Sequence, residues 1–147
     1  MSWRARASNL VARPSRPQRG VVDTSVVIDL EEIDPSSLPV ELAVSALTMA
    51  ELAAGPHATN DPEERARRQD RLQRAEAAFD PLPFDADGAR AYGRVFAAVT
   101  AAGRKAHGAR ALDLLIAATA CAEELPLFTR NGADFLGLDG VVEVWTI

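Results

Sequence analysis

Apolar positions along this chain fall into short runs and helical stripes that alternate from one end of the ordered sequence to the other. Gly20-Val21-Val22 reads as a short buried strand that ends in an acid, Asp23. Thr24 or Ser25 then caps a helix expected from Val26 to about Glu32, and Pro35 and Pro39 close the loop after it. Residues 42–46 read as a second strand, followed by a helix over Met49–Ala54 that stops at Gly55-Pro56. A charged helix is expected from Pro62 to Phe79, with Asp61 as its cap and a thin core stripe of Leu72, Ala75 and Phe79. Ala89, Tyr92, Phe96 and Val99 recur at helical spacing and predict a helix over 86–102, ending at Gly103. Residues 111–124 are apolar almost all round, the pattern of a centrally buried helix. Leu127-Phe128-Thr129 and Val141–Ile147 supply two further strands. Short apolar strands alternating with helices indicate an α/β fold with a parallel sheet covered on both faces.

Charge divides the chain in two. Residues 1–20 carry five arginines and no acid, whereas residues 21–147 carry 11 basic and 21 acidic side chains. The first segment also contains Pro14, Pro17 and Gly20 and no sustained apolar period, so residues 1–20 are expected to be a disordered basic arm. Three readings of that arm stay open: a nucleic-acid-binding segment, an organelle transit peptide, or a translation start set too early. Residues 21–147 form the expected domain. No apolar stretch approaches the ~18 residues of a membrane span. The single cysteine, Cys121, excludes an intramolecular disulfide framework and a Cys-rich zinc site, and it fits a reducing cytoplasm.

Candidate chemistry lies in four acids. In a parallel sheet the chain leaves each strand at the carboxyl edge, where ligands bind. Asp23 follows the first strand, Glu51 lies just after the second, Asp113 opens the buried helix, and Asp134 sits in the loop leaving Leu127–Thr129. Two carboxylates ~4 Å apart repel by about 4 kcal/mol at an effective dielectric near 20. A cluster of four therefore needs protons or a cation. Oxygen ligands without His or Cys suit Mg²⁺ or Mn²⁺. Hard dications held this way serve phosphoryl transfer, generating hydroxide and neutralising the transition state. Each acid also has a plainer explanation. Thr48-Met49-Ala50-Glu51 has the form of a capping box, Asp113 suits a helix N-terminus, and Asp134 suits a turn.

The same residues resemble a known family. Val21-Val22-Asp23-Thr24-Ser25 and Ser45-Ala46-Leu47-Thr48-Met49-Ala50-Glu51-Leu52 are similar to the opening motifs of PIN-domain ribonucleases. Asp113-Leu114-Leu115-Ile116-Ala117-Ala118-Thr119-Ala120 resembles the third motif, and Leu127-Phe128-Thr129-Arg130-Asn131 with Asp134-Phe135 the fourth. The resemblance spans residues 21–147, and the length and terminal strand are similar to VapC-type toxins of toxin–antitoxin pairs. It implies a three-layer α/β/α sandwich with a short, mostly parallel sheet, and a metal-dependent endoribonuclease. Asp23 and Asp113 would be the main Mg²⁺ ligands, with Glu51 and Asp134 completing the cluster, partly through water. Ser25 and Thr129 would place hydroxyls near the metal or the scissile phosphate, and Asn131 would orient the fourth loop. A homodimer silenced by a cognate antitoxin is also implied.

RNA is a polyanion, and an acidic body repels it. Arg104, Lys105, His107 and Arg110 cluster just before Asp113 and are expected to hold flanking phosphates. The five arginines of the helix from Pro62 alternate with acids and suit a solvated or partner-facing surface. Two other classes compete. One is a non-catalytic module that binds RNA or a partner. The other is a phosphatase, disfavoured because Asp23-Thr24-Ser25 lacks the second aspartate two residues on that a phosphoaspartyl enzyme needs.

Overall fold

Alternate residues of each strand feed two different cores, and this sorts the chain into layers. The structure, a computed structural model, describes residues 16–106 and 108–147. Four strands, β1 (Arg19–Val22), β2 (Glu41–Ala43), β3 (Leu127–Thr129) and β4 (Val144–Thr146), form one sheet in the order β2-β1-β3-β4. All three pairings are parallel. Five helices surround it: α1 (Thr24–Ile28), α2 (Ala46–Ala54), α3 (Pro62–Ala78), α4 (Ala86–Ala101) and α5 (Ala111–Ala122).

Val21 and Leu127 face one core, with α4, α5 and the Phe135–Val142 segment. Val22 and Phe128, one residue on, face the other, with α1, α2 and α3. Side chains on a strand alternate between faces, so a sheet covered on both sides needs apolar residues at every position. The result is the expected α/β/α sandwich, with a sheet that is parallel throughout. Among the described residues, no helix is long and apolar enough to cross a membrane.

Several expected boundaries shift, each for a local reason. Residues 19 and 20 of the expected arm belong to β1, where Arg19 pairs with Glu41 and Gly20 with Leu42. Arg16 donates to the Pro39 carbonyl, so the chain is already seated before the strand begins. For residues 1–15 the expected arm lies outside the described residues. The first helix starts at Thr24, because Asp23 rather than Thr24 or Ser25 caps it by accepting from Val26 N. It ends at Ile28, and Leu30–Glu32 form a separate 3₁₀ turn. The second strand covers 41–43 rather than 42–46, and α2 opens at Ala46 instead of Met49, since Ser45 Oγ accepts from Leu47 N. The last strand shortens to Val144–Thr146, and the buried helix stops at Ala122, followed by Glu124 in left-handed backbone.

The stripe of α4 is rotated from the expected one. Gly88, Ala91, Val95 and Val99 are buried, while Phe96 is 44% exposed. Ala91, Val95 and Val99 share a core with the alanine-rich α5, and the bulky Phe96 is left on the outer side. The all-round apolar α5 is buried from Ile116 to Ala120, as its composition predicts.

Gly20 sets how closely β1 approaches Phe128. A Cβ there would lie 2.6 Å from Phe128 Cε1 and 3.2 Å from Pro39 Cγ. Phe128 is itself stacked on Trp145 with ring centroids 5.5 Å apart, so it has little room to retreat. Gly20→Ala is expected to lower stability by about 1–3 kcal/mol through overpacking, read as a lower denaturant midpoint at unchanged slope.

Candidate active site

Asp23 stands at the carboxyl end of β1 and is only 4% exposed. Burying a carboxylate requires partners, and the local chain supplies them. Its Oδ1 accepts from Ser25 Oγ at 2.5 Å and from Val26 N at 3.2 Å, and its Oδ2 accepts from Thr129 Oγ1 at 2.6 Å. A carboxylate has about four lone-pair sites. Three are engaged, which leaves one on Oδ2. Ser25 and Thr129 are thus organised around Asp23, and each is held in turn. Ser25 Oγ accepts from Arg130 N, and Thr129 Oγ1 accepts from Asn131 N.

Glu51 lies on α2 in the turn after its cap, so the capping-box reading of Thr48 and Glu51 does not hold. Ser45 is the cap, and Thr48 is a fully buried residue inside the helix. Glu51 Oε1 instead accepts from Thr24 Oγ1 at 2.7 Å. Asp134 sits in the 3₁₀ turn Gly132–Phe135, with its N donating to the Asn131 carbonyl. The turn packs hard against β4: a Cβ on Gly132 would lie 2.1 Å from Thr146 Oγ1. Asn131 opens that turn without a side-chain cap, and its carbonyl accepts from Asp134 N.

Asp113 lies in the first turn of α5 and is partly buried. Burial first, then the charges of Asp134, Glu51 and Asp23, push its carboxyl up from 3.8 to about 6, and Arg110 opposes them. The charges of the other three acids named from sequence thus all reach Asp113. Their ligand chemistry, carboxylate oxygens alone, fits a hard divalent cation. As the side chains lie, no three His, Cys, Asp or Glu residues among the described residues are arranged to hold one ion together.

The basic residues divide. Arg110 acts on Asp113 through its charge, lowering its pKa. Arg104 is tied by Nη2 to the Ala133 carbonyl at 2.9 Å, which braces the turn that bears Asp134. Lys105 is exposed. His107 lies outside the described residues. Arg65 and Arg68, on α3, donate to the carbonyls of Pro56, Thr59 and Gly55, so they close the end of α2 and its following 3₁₀ turn. Two contributors escaped sequence reasoning. Along the sequence Thr24 reads only as a helix cap, and nothing there marks Arg130, whose N donates to Ser25 Oγ and whose side chain pairs with Asp29 at 3.0 Å. Hydroxyl neighbours of acids carry no periodicity that marks them.

The raised pKa of Asp113 makes stability depend on pH. The native state holds this proton more tightly than the unfolded chain, so stability present at pH 3.8 is lost as pH rises through about 6. In metal-free buffer Asp113→Asn is expected to match wild type near pH 3.8. Above the native pKa the variant should be more stable, by about 1–2 kcal/mol once the full shift is discounted for solvent screening. Paired denaturant melts across this range measure it, and a wild-type advantage at neutral pH would contradict the repulsion.

Comparison with known proteins bears on the whole domain. The PIN domain family model matches residues 20–140. Ribonuclease VapC5 of Mycobacterium tuberculosis is 37% identical over 131 residues, covering 87% of this chain and 93% of the relative. The solved structure of VapBC-5, a member of the VapBC family of toxin–antitoxin systems from the same organism, matches with a TM-score of 0.79 at 36% identity. That match covers 89% of this chain and all of the other. FitAcB from Neisseria gonorrhoeae matches with a TM-score of 0.64 at 25% identity, over 86% of this chain and 96% of that one. With the parallel sandwich, the acids at its carboxyl edge and this extent of identity, the chain belongs to the PIN-domain family, among the VapC ribonucleases.

Proposed function

We propose that this protein is a divalent-metal-dependent endoribonuclease, the toxin of a toxin–antitoxin pair, with Mg²⁺ as its working ion and Mn²⁺ able to replace it. The observation that carries the reading is the convergence on Asp113, whose carboxyl three other acids push upward while one arginine opposes. The likeness to Ribonuclease VapC5 and to VapBC-5 supports the activity and an antitoxin partner, and the same reading takes the protein to act as a homodimer in the cytoplasm.

Asp23 and Asp113 would hold the cation, with Glu51 and Asp134 reaching it partly through water. When bound, the ion supplies an activated water and neutralises charge on the scissile phosphate. The residues of the chain do the rest. Ser25, Thr129 and Val26 N fix Asp23 so that its remaining lone pair on Oδ2 is presented in one direction. Glu51 has one oxygen occupied by Thr24, which leaves Oε2 to accept a proton from the attacking water. Arg110, just before α5, has a charge that acts on Asp113, and it would meet a phosphate beside the cleaved bond. Lys105 would hold a flanking phosphate from its exposed loop. Arg104 would contribute through its remaining donors while bracing the Asp134 turn. Attack by water with the 3′-oxygen as leaving group, which takes a proton from solvent, would give 5′-phosphate and 3′-hydroxyl ends.

The test is cleavage of RNA by the purified full chain with Mg²⁺, against chelated controls. Asp23→Asn and Asp113→Asn are each expected to reduce the rate at least about 100-fold, close to 3 kcal/mol of lost transition-state stabilisation. Chelation should abolish cleavage, and readdition of Mg²⁺ or Mn²⁺ should restore it. Cleavage at equal rates by wild type and both variants would refute the assignment. Tight RNA binding by wild type without turnover would favour a non-catalytic module.

A further inference from the structure

Behind Glu51 runs a chain of two hydroxyls that no part of the proposed reaction uses directly. Thr24 Oγ1 lies 2.7 Å from Glu51 Oε1 and 3.1 Å from Thr48 Oγ1. Thr24 has a single hydroxyl proton, and an ionised carboxylate accepts only. The proton of Thr24 therefore goes to Glu51, and Thr48 donates to Thr24. Thr48 is fully buried, and Thr24 is the protein partner of its hydroxyl. The direction of the chain is thereby set from inside the protein towards the acid cluster.

The two threonines come from different elements. Thr24 is the first residue of α1, immediately after the Asp23 that caps this helix. Thr48 and Glu51 lie three residues apart on α2, hence on one face of that helix. A glutamate side chain has three rotatable bonds, so its carboxylate can swing away from the other acids. Nothing on α2 itself opposes that motion. The Thr24 hydroxyl does, and it refers the position of Glu51 to the same short helix that fixes Asp23.

We infer that Thr24, supported by Thr48, is a positioning residue that holds the Glu51 carboxylate in the acid cluster and so sets the affinity of the site for its divalent cation. The inference rests on the reading of the cluster as a cation site. Neutral hydroxyls suit this task because they orient a carboxylate without cancelling the charge that attracts the cation. An arginine in their place would bind Glu51 more firmly and would cancel that charge.

The experiment is calorimetric titration of MnCl₂ into metal-free full-length protein, alongside thermal melts of each variant without metal. Thr24→Val keeps the shape and removes the hydroxyl. It should weaken Mn²⁺ binding about 10-fold, the usual scale for losing a group that orients a ligand. Thr24→Ser keeps the hydroxyl and should bind like wild type. In a Glu51→Gln background, Thr24→Val should cost nothing further, because its effect runs through that carboxylate. Wild-type affinity in Thr24→Val, or losses that simply add in the double variant, would overturn the inference. A wild type that takes up no Mn²⁺ would instead overturn the cation site itself, and the inference with it. If the melts show Thr24→Val unfolded, Thr48→Val removes the rear donor at a distance from the cluster. It should weaken binding in the same direction, and unchanged affinity there would equally refute the proposal.

Discussion

Mutual repulsion among carboxylates is the constraint around which this molecule is arranged. Asp23, Glu51, Asp113 and Asp134 come from four separate stretches of chain, and the charges of the other three act on Asp113. No folded chain gathers such groups without a scaffold that outweighs the cost. Here the scaffold is the two-sided core. The buried strands β1 and β3 and the buried helix α5 fix the backbone beneath three of the acids, so their side chains are delivered to one edge regardless of their repulsion.

The groups that touch these acids are mostly uncharged. Asp23 is satisfied by two hydroxyls and one backbone N–H, and Glu51 by a third hydroxyl. Such donors satisfy the buried oxygens and fix their direction, yet leave the net charge in place. Arg110 is the cation that opposes the cluster at Asp113. The site thus keeps an excess of negative charge, which a structural ion-pair network would have removed. On the proposed function, a polyanionic substrate would meet both the acids and the basic residues that precede α5, which would reconcile it with an acidic body.

Much of this was legible in the sequence, and the failures have a common form. The strands Val21-Val22 and Leu127–Thr129, the buried α5 and the charged α3 were readable because burial on both faces leaves a strong apolar signature. Errors concentrated where a helix begins. Asp23, Ser45 and the start of α2 were misassigned because Asp-Thr-Ser and Ser-Ala-Leu-Thr each offer several capping side chains within a few residues. The stripe on α4 was misplaced by about one residue, since small residues pack closely and the larger Phe96 is the one turned outward.

What the sequence by itself determined was the order of elements and the presence of an acid after β1, β2 and β3 and at the head of α5, because those depend on local periodicity and strand-to-helix connections. The tertiary structure alone decided which partners each acid has. Thr129 reaches Asp23 across 106 residues of chain, and Thr24 reaches Glu51 across 27. Such contacts depend on how β1 pairs with β3 and how α1 meets α2. A hydroxyl that serves a distant carboxylate looks, along the chain, like any other threonine.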